Sequence, residues 1–546
     1  MKAAARDAVG GQAGSSGDCL SPCCASMASP LDADRLDDGY VSSAAYARAS
    51  AALRDDRRPQ AIRIDYHHPL EKWVRLRPFR WLLGFLSADG ASGRTRLQRI
   101  LESYRNPQAP WTERVKFVLA HRFIDHMRGS TDVATFRARL TGHRPTIRGL
   151  VVVARSLAKL GLTVPQRFVS PLFAVWNFTN RCNLACRHCY QDSRGQNLAH
   201  ELSLQEKLDL VDQMGRLYLP MLALSGGEPT VSPDLLAVIE RACRHDMHVS
   251  LATNGTALTP ALAARLAEAG LRYVEISLDS VDPARHDAFR GVRGMWQCAV
   301  AGAEAVAATP GLRLGIAMCV HQGNFDEVAD MIDLAVSLGA GCFAHFNFIP
   351  VGRGAHMAAE DLTPAQREQL LGLLNERMQR GEIGIISTAP QLGRVCLAGS
   401  ALEDGRTICS HAGSGSGVKA RVVAKYLGGC GAGRTYVSIQ PNGDVTPCVY
   451  LPHRVMGNVR HRPLVDIFRQ GQYYELLNDR TQRLHHCRVC AFRDYCGGCR
   501  ARSDAYFGRL DAADPGCLFN QKHWERLAGG RAAAQDQNPA GASCVQ

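Results

Sequence analysis

The chain has 546 residues, which is too long for one ordinary hydrophobic core and indicates two or three domains. Apolar residues make up 46% of the sequence and charged residues 21%, as is typical of a soluble globular protein. No run of about 18 apolar residues is present, which excludes a conventional transmembrane helix. The N-terminal stretch lacks the apolar core of a secretory signal, so we expect a cytoplasmic protein.

Residues 1–60 are rich in Ala, Gly, Ser and Asp and show no sustained periodicity, which predicts a disordered tail. Residues 61–168 are predicted to be helical, because stretches such as "LEKWVRLRPFRWLLGFL" carry apolar residues at three- to four-residue spacing. This region also carries the excess positive charge of the chain. From Glu71 to Arg167 there are 19 Lys and Arg against 6 Asp and Glu, which accounts for the net charge of +13.

Two interpretations of this basic helical region stay open. It is either a small helical domain with a solvated basic face, or an interfacial helix or docking face for an anionic partner such as a membrane surface. No base-reading motif accompanies the charge, so we predict no specific nucleic acid partner.

From residue 171 to 385 the pattern changes to short β-rich runs that alternate with helices. Such alternation predicts parallel βα units, here a partial barrel of six strands with its site at the carboxyl ends of the strands. The fold class is therefore α/β. The predicted strands are 172–178, 221–226, 248–253, 272–278, 313–320 and 342–349.

Helix starts are marked by capping signals between these strands. Ser203 and Glu206 have the spacing of a capping box. Three further pairs place an N-cap residue before a proline at the first helical position. These pairs are Ser232-Pro233, Thr259-Pro260 and Thr363-Pro364.

Residues 390–522 hold a dense group of cysteines among short elements and frequent glycine, which predicts a small domain held by metal rather than by a large core. Residues 525–546 are predicted to be a second disordered tail. The chain has 20 cysteines, many of them in C-x2-C pairs. Without an export signal, such pairs indicate metal ligands in a reducing compartment rather than disulfides.

The first cysteine group follows the first predicted strand in "NFTNRCNLACRHCYQDS" and consists of Cys182, Cys186 and Cys189. We call these three residues the cysteine triplet. Three thiolates suit a [4Fe-4S] cluster with one iron left open. The alternative is zinc with His188 as fourth ligand, although His188 lies between two of the cysteines and would have difficulty reaching the same ion.

Other polar or flexible residues follow the next strands. Strand 2 ends in "SGGEP", where Gly226 and Gly227 let the backbone approach a ligand and Glu228 can accept hydrogen bonds from an ammonium group. Asn254 follows strand 3. Ser277 and Asp279 end strand 4 on the same side and could bond a ribose. Together these residues predict one pocket beside the cysteine triplet.

C-x3-C-x2-C after strand 1 with GGEP after strand 2 resembles the radical S-adenosylmethionine (SAM) superfamily over about 210 residues. The resemblance implies that the triplet holds a [4Fe-4S] cluster, that SAM chelates the open iron, and that its reductive cleavage yields a 5′-deoxyadenosyl radical. It also implies a low-potential electron donor of the ferredoxin or flavodoxin type. The SAM-binding residues would be His188 beside the adenine, Gly226, Gly227, Glu228, Pro229, Asn254, Ser277 and Asp279.

The C-terminal cysteines resemble those of the SPASM domain, which carries auxiliary iron–sulfur clusters. The resemblance implies one cluster on Cys487, Cys490, Cys496 and Cys517. Cys430, Cys448 and Cys499 would share another with an upstream residue, for which Cys409 is the candidate and Cys396 the next. If neither reaches, one auxiliary cluster is incomplete or keeps an open iron. The pairs are also compatible with zinc ribbons.

The phrases "FNFIPVGRG", "NGDVTPCVYLP" and "CGGCRARSDAYFGRLDAADPGC" resemble the branch that acts on tetrapyrroles in haem d1 and siroheme-dependent haem biosynthesis. An anionic tetrapyrrole is therefore the first substrate prediction, and a peptide or protein is the second. The alternative from another class is a non-catalytic, zinc-stabilised binding protein.

Overall fold

The structure is a computed structural model that describes residues 69–521 and Glu525, without 91–92, 129–131, 141–142, 194, 197–199, 400–404, 411–412 and 485. The tail predicted for 1–60 lies outside the described residues, and so does the tail predicted for 525–546 apart from Glu525. No described helix is long and apolar enough to cross a membrane.

The described part of the basic region, from Pro69 onwards, forms seven helices ahead of the first strand. They are α1 (Pro69–Arg75), α2 (Arg77–Ser87), α3 (Arg96–Ser103), α4 (Trp111–Lys116), α5 (Val118–Arg128), α6 (Val133–Leu140) and α7 (Arg144–Leu160). Helix α7 is the anchor of this region, because Val151 and Val152 are fully buried in the main core. The buried Arg148 side chain also donates to the carbonyl oxygens of Leu219 and Gly215 in the following domain.

The predicted α/β fold is confirmed, since parallel strands alternate with helices around one long core. The strands are β1 (Phe173–Asn177), β2 (Met221–Ser225), β3 (His248–Thr253), β4 (Tyr273–Ser277), β5 (Arg313–Val320), β6 (Cys342–Asn347) and β7 (Gly384–Ser387). The helices between them are α8 (Leu204–Arg216), α9 (Leu235–Arg244), α10 (Pro260–Glu268), α11 (Pro283–Arg290), α12 (Met295–Ala308), α13 (Val328–Ser337) and α14 (Pro364–Arg380).

Local capping chemistry explains most helix starts. Ser203 and Glu206 form the predicted capping box of α8, and Thr259 and Thr363 accept from backbone N–H groups at the starts of α10 and α14. The prediction for Ser232 is wrong. A short 3₁₀ turn, Pro229–Val231, precedes helix α9, and Ser232 is the C-cap of that turn. Helix α9 therefore begins later, at Leu235, with Asp234 as its N-cap residue.

The C-terminal region continues the same sheet. Strand β10 (Tyr436–Ile439) pairs in parallel with β1, and β11 (Asp444–Thr446) and β12 (Gly457–Asn458) extend the edge antiparallel. The sheet order is β12-β11-β10-β1-β2-β3-β4-β5-β6-β7. Strand β7 and the junction of β1 with β10 were not predicted, because β7 has four residues and the junction joins positions far apart in sequence.

The remaining elements are short. They are α15 (Gln391–Gly399), β8 (Arg406–Ser410), β9 (Gly413–Ser416), α16 (Gly417–Leu427), α17 (Leu464–Gln470), α18 (Tyr474–Asn478), α19 (His486–Val489) and α20 (Arg500–Phe507). Helix α7 packs into the core of the sheet, and β10 to β12 extend the sheet itself. Because the three regions share one sheet and core, the predicted domain boundaries at 168–171 and 385–390 are not tested and stay predictions.

Candidate active site

A cavity of ≈ 880 Å³ lies inside the curved sheet and joins both cysteine regions. Its wall follows β3 from His248 to Thr253 and so reaches from one end of the strand to the other. The cysteine triplet lines it at the carboxyl ends of the strands, where the fold predicts a site. Cys430, Cys448 and Cys499 also line it, and we call these three the inner auxiliary cysteines.

Each sulfur of the cysteine triplet faces an N–H donor of the chain. The backbone N–H of Leu184 lies 3.5 Å from the Cys182 sulfur, and that of Ser193 lies 3.4 Å from the Cys189 sulfur. The Arg290 guanidinium lies 3.7 Å from the Cys186 sulfur. Donors around cysteine sulfur stabilise thiolate and tune the potential of an iron–sulfur cluster. The loop therefore fits an anionic, thiolate-bound group.

The triplet loop is held by Arg353, which lies in the quoted phrase "FNFIPVGRG" and also lines the cavity. Its backbone N–H donates to the Cys189 carbonyl over 2.9 Å, and its side-chain Nε donates to the Cys186 carbonyl over 2.9 Å. Its guanidinium also pairs with Asp192 at 3.0 Å. Arg353 thus fixes the backbone of two of the three cysteines. Its position in the sequence did not reveal this role.

Gly226 and Gly227 line the cavity and bring the backbone very close to the triplet loop. Gly226 has a φ of 118°, and a Cβ there would lie 2.8 Å from the Phe178 nitrogen. A Cβ on Gly227 would overlap the carbonyl oxygen of Arg181. The two glycines therefore leave a cradle with exposed backbone, which fits the close backbone contact expected for a SAM amino group.

Glu228 lies elsewhere than the sequence suggests. It is fully buried and does not line the cavity. Its carboxylate accepts from the backbone N–H and hydroxyl of Thr230, from the Thr253 hydroxyl at 2.7 Å and from the Asn254 N–H at 2.7 Å. These bonds tie the turn after β2 to the end of β3. Glu228 thus supports the pocket wall, and Pro229 begins the adjoining 3₁₀ turn outside the cavity lining.

Asp279 is also withdrawn from the cavity lining, whereas Ser277 and Asn254 belong to it. Asp279 pairs with Arg290 at 2.6 Å and accepts from the Cys319 N–H at 2.9 Å. Burial works to raise the pKa of Asp279, but Arg290 together with His188, His286 and the Cys319 N–H outweighs burial, and the pKa lies below its ordinary value. Asp279 therefore positions Arg290, the donor to Cys186.

His188 forms one end of a stack of three rings. Its ring lies 4.3 Å from that of Phe289 at an angle of 3°, and Phe289 stacks on His321 at 4.6 Å. Burial lowers the pKa of His188 to about 3, so the ring is neutral. Because His188 also lines the cavity, one neutral aromatic surface is available to an adenine.

The C-terminal cysteines separate into two groups. The inner auxiliary cysteines face the cavity, and the Tyr436 hydroxyl lies 2.7 Å from the Cys448 sulfur. Cys487, Cys490, Cys496 and Cys517 do not line the cavity, and we call them the outer auxiliary cysteines. No disulfide joins the cysteine side chains that the structure describes.

Buried arginines surround these cysteines. Arg434, Arg480 and Arg500 are at most 3% exposed, and among the described residues none of them pairs with a carboxylate. Each donates instead to backbone carbonyl oxygens. Burial lowers the pKa of Arg434 and of Arg480, and the neighbouring Cys430 opposes that shift. Buried cations call for nearby anions, and thiolate-bound iron–sulfur clusters would supply them.

Of the two candidates for an eighth ligand, the structure describes the side chain of only one. Cys409 lies in β8, and its side chain is outside the described residues. Cys396 is fully buried in the main hydrophobic core. The described part of the chain also contains no group of three or more His, Cys, Asp or Glu that could hold one metal ion. A cluster differs from one ion in that each thiolate binds its own iron.

Three cavity residues were missed in the sequence. Glu275 points into the cavity from β4, and burial raises its pKa to about 7. Tyr190 and Tyr450 line the cavity with ring centroids 5.0 Å apart, one beside Cys189 and the other near Cys448. Tyr190 follows the triplet directly, which was the signal available for it. For Glu275 the signal was the period of two, which places it on the same face of β4 as Ser277.

Replacement of Glu275 by glutamine should change the pH dependence of stability. In the unfolded chain the carboxyl ionises near its ordinary pKa of 4.5, and in the folded chain the pKa is about 7. The stability contributed by protonated Glu275 should therefore be full below pH 4.5 and be lost as pH rises towards 7, by up to about 3 kcal/mol. Melting temperatures of wild type and E275Q, measured between about pH 5 and about pH 8, test this prediction. The exposed Glu268→Gln is the control, and parallel curves for E275Q and wild type would contradict the prediction.

A parallel α/β sheet whose cavity is lined by two groups of cysteines fits the class of iron–sulfur enzymes. Comparison with known proteins identifies the family. Residues 176–335 match the radical SAM superfamily, and residues 430–491 match the SPASM iron–sulfur cluster-binding domain. The chain belongs to the radical SAM superfamily and carries a SPASM domain. The predicted SAM, its [4Fe-4S] cluster and auxiliary iron–sulfur clusters are thereby confirmed as cofactors of the family to which this enzyme belongs.

Among curated relatives, the AdoMet-dependent heme synthase of Methanosarcina barkeri is 31% identical over 64% of this chain and 97% of that protein. The pre-heme d1 synthase of Dinoroseobacter shibae is 30% identical over 63% of this chain and 85% of its own. The mycofactocin maturase of Mycobacterium ulcerans is 31% identical over 64% and 88%. The SAM-bound structure of Streptococcus suis SuiB shares the fold, with a TM-score of 0.55 and 16% identity over 78% of this chain and 93% of that one.

When bound, the cluster and SAM supply a 5′-deoxyadenosyl radical that takes a hydrogen atom from the substrate. The chain's own residues prepare the site for this chemistry. Arg353 and Arg290 fix the triplet loop, and the two glycines leave the backbone beside it open.

Proposed function

We propose that this enzyme modifies the carboxylate side chains of an anionic tetrapyrrole with a SAM-derived radical. The triplet holds the SAM cluster in this proposal. The outer auxiliary cysteines hold a complete auxiliary cluster, and the inner auxiliary cysteines hold one that faces the substrate. His188, Gly226, Gly227, Asn254 and Ser277 line the SAM pocket, and Glu228, Pro229 and Asp279 support it from behind. A low-potential electron donor of the ferredoxin or flavodoxin type supplies the electron.

The observation that carries the proposal is one cavity that reaches both the triplet and the inner auxiliary cysteines. Between them its wall is aromatic and apolar. Phe173 and Tyr436 lie with ring centroids 6.2 Å apart, and Tyr450, Phe346 and Ile349 complete this part. A flat macrocycle needs such a surface, and cavities of this volume class suit ligands of that kind. The heme synthase and pre-heme d1 synthase relatives favour the same substrate class.

A second candidate is the modification of a peptide. It is favoured by the mycofactocin maturase relative, whose identity of 31% equals that of the heme synthase. The same radical site would serve a tetrapyrrole or a peptide. Only an assay of both substrate classes therefore distinguishes the two candidate functions.

The test is anaerobic incubation of the reduced enzyme with SAM and one substrate class at a time, followed by mass spectrometry. An iron porphyrin with propionate side chains is the first substrate, and its matched control is an iron porphyrin with ethyl groups in their place. Candidate precursor peptides form the second class. The expected result is a mass loss confined to the propionate porphyrin, together with 5′-deoxyadenosine.

The Cys182→Ala variant should give neither product, which links any conversion to the triplet. A cross-link or mass change on a peptide, with the porphyrin unchanged, would favour the second candidate. Formation of 5′-deoxyadenosine without change in any substrate would leave the enzyme class intact and refute the tetrapyrrole proposal.

A further inference from the structure

The helices of the basic region expose apolar side chains in a way that the rest of the described chain does not. Fifteen large apolar side chains are exposed in the described residues, and ten of them lie between Trp73 and Phe123. Scattered exposed apolar residues are ordinary, but a concentrated set marks an interaction surface.

These side chains fall on one face of each helix. On α2, Trp81, Leu82 and Phe85 are exposed, and the rings of Trp81 and Phe85 stack 5.8 Å apart. We call these three residues the first stripe. The opposite face of α2 packs on α7, since a Cβ on Gly84 would lie 3.6 Å from Ala158. The first stripe is therefore not the core-facing side of the helix.

A second stripe runs along α4 and α5. Trp111, Val115, Leu119 and Phe123 recur every four residues, which places them on one face of a helical path. Trp111 is 73% exposed and Leu119 is 76% exposed. Phe117, between them, is buried on the other side. In an ordinary surface helix the exposed face would be polar, so this arrangement is inverted.

Cations flank both stripes. Lys72, Arg75, Arg77, Arg114, Lys116 and Arg122 are exposed and form no ion pair with another described residue. The acidic side chains of the same helices are already engaged. Glu113 pairs with Arg99, and Asp125 pairs with Arg105 at 2.7 Å. The free charge beside the stripes is therefore positive.

We propose that the two stripes dock this enzyme on an anionic lipid surface, with Trp81, Leu82, Phe85, Trp111 and Leu119 in the headgroup region. Interfacial helices combine an apolar face, often with Trp and Phe, with Lys and Arg that meet anionic headgroups. A second copy of the chain is a poorer occupant, because it would set cations against cations.

The proposal is tested by co-sedimentation of the full-length holoenzyme with vesicles of phosphatidylcholine alone and of phosphatidylcholine with phosphatidylglycerol. Binding is expected only to the anionic vesicles, and it should fall as salt shortens the screening length from about 10 Å towards about 3 Å. The double variant Trp81→Ser/Leu119→Ser should lower the bound fraction at least ~10-fold, because two large apolar side chains no longer enter the interface. Arg114→Gln/Arg122→Gln should lower it on anionic vesicles.

Val336→Ser is the matched control, since Val336 is an exposed apolar residue on α13, away from the stripes. It should bind vesicles as wild type does. Iron content and 5′-deoxyadenosine formation without lipid should be unchanged in all variants, which shows that the variants fold.

Three results would overturn the proposal. The first is no vesicle binding by the wild-type chain, as expected if residues 1–68 cover the stripes. The second is equal binding by Trp81→Ser/Leu119→Ser and wild type. The third is a wild-type dimer that this variant converts to monomer while vesicle binding is unchanged, which would assign the stripes to self-association.

Discussion

Replacement of Cys182, Cys186 and Cys189 by alanine together should abolish 5′-deoxyadenosine formation. The three sulfurs line one cavity at the carboxyl ends of the strands, and each meets an N–H donor. Without them no thiolate remains to hold the SAM cluster, so no radical forms. The purified variant should lose about four irons per chain and keep its auxiliary iron. Iron analysis and anaerobic assay with a low-potential reductant measure both effects.

Cys298→Ala is the control for this prediction, because Cys298 lies on α12 and does not line the cavity. It should keep wild-type iron content and SAM cleavage. Cleavage that persists in the triple variant would show that the triplet does not carry the SAM cluster. Loss of all iron would show that the variant has failed to fold rather than lost one site.

The second large effect is expected at Cys448, one of the inner auxiliary cysteines. Its sulfur accepts a hydrogen bond from the Tyr436 hydroxyl, and Cys448 lines the same cavity as the triplet. Cys448→Ala should lower substrate conversion at least about 100-fold, a loss of about 2.7 kcal/mol of transition-state stabilisation. SAM cleavage without substrate conversion should continue, because the triplet is intact. Mass spectrometry of product and 5′-deoxyadenosine in one reaction measures the two separately.

Two further variants separate a role in the cavity from a role in folding. Tyr436→Phe removes one donor to the Cys448 sulfur, so the reduction potential of an auxiliary cluster should become more negative at unchanged iron content. Cys490→Ala changes an outer auxiliary cysteine and should lower iron content with a smaller loss of conversion. Equal losses of conversion in Cys448→Ala and Cys490→Ala would contradict the assignment of the inner group to the substrate cavity.

Most strands of the barrel were predictable, because buried β-rich runs and capping residues are local signals. The predicted runs 248–253 and 313–320 coincide with β3 and β5. Strand β7 was missed because its four residues carry too short a pattern. Ser232 was wrongly predicted as an N-cap because of the 3₁₀ turn before it. That turn begins after Glu228, whose carboxylate is held by the distant Thr253 hydroxyl, and the residues around Ser232 do not indicate this contact.

The candidate site divides in the same way. The cysteine triplet and the glycine pair were readable, because ligand spacing and backbone freedom are properties of a few adjacent residues. The positions of Glu228 and Asp279 inside the pocket wall were not readable. Each depends on partners far along the chain, such as Thr253 for Glu228 and Cys319 for Asp279.

The sequence by itself determined the chemical class of this enzyme, since metal-ligand spacing is local and the parallel α/β fold follows from alternating patterns. Only the tertiary structure decided what surrounds that chemistry. The pairing of Phe173 with Tyr436 brings the inner auxiliary cysteines into the triplet's cavity, and packing on α7 turns the stripe of Trp81 outwards. Both outcomes arise from contacts between distant segments, whose free energy depends on the packed fold and not on the order of neighbouring residues.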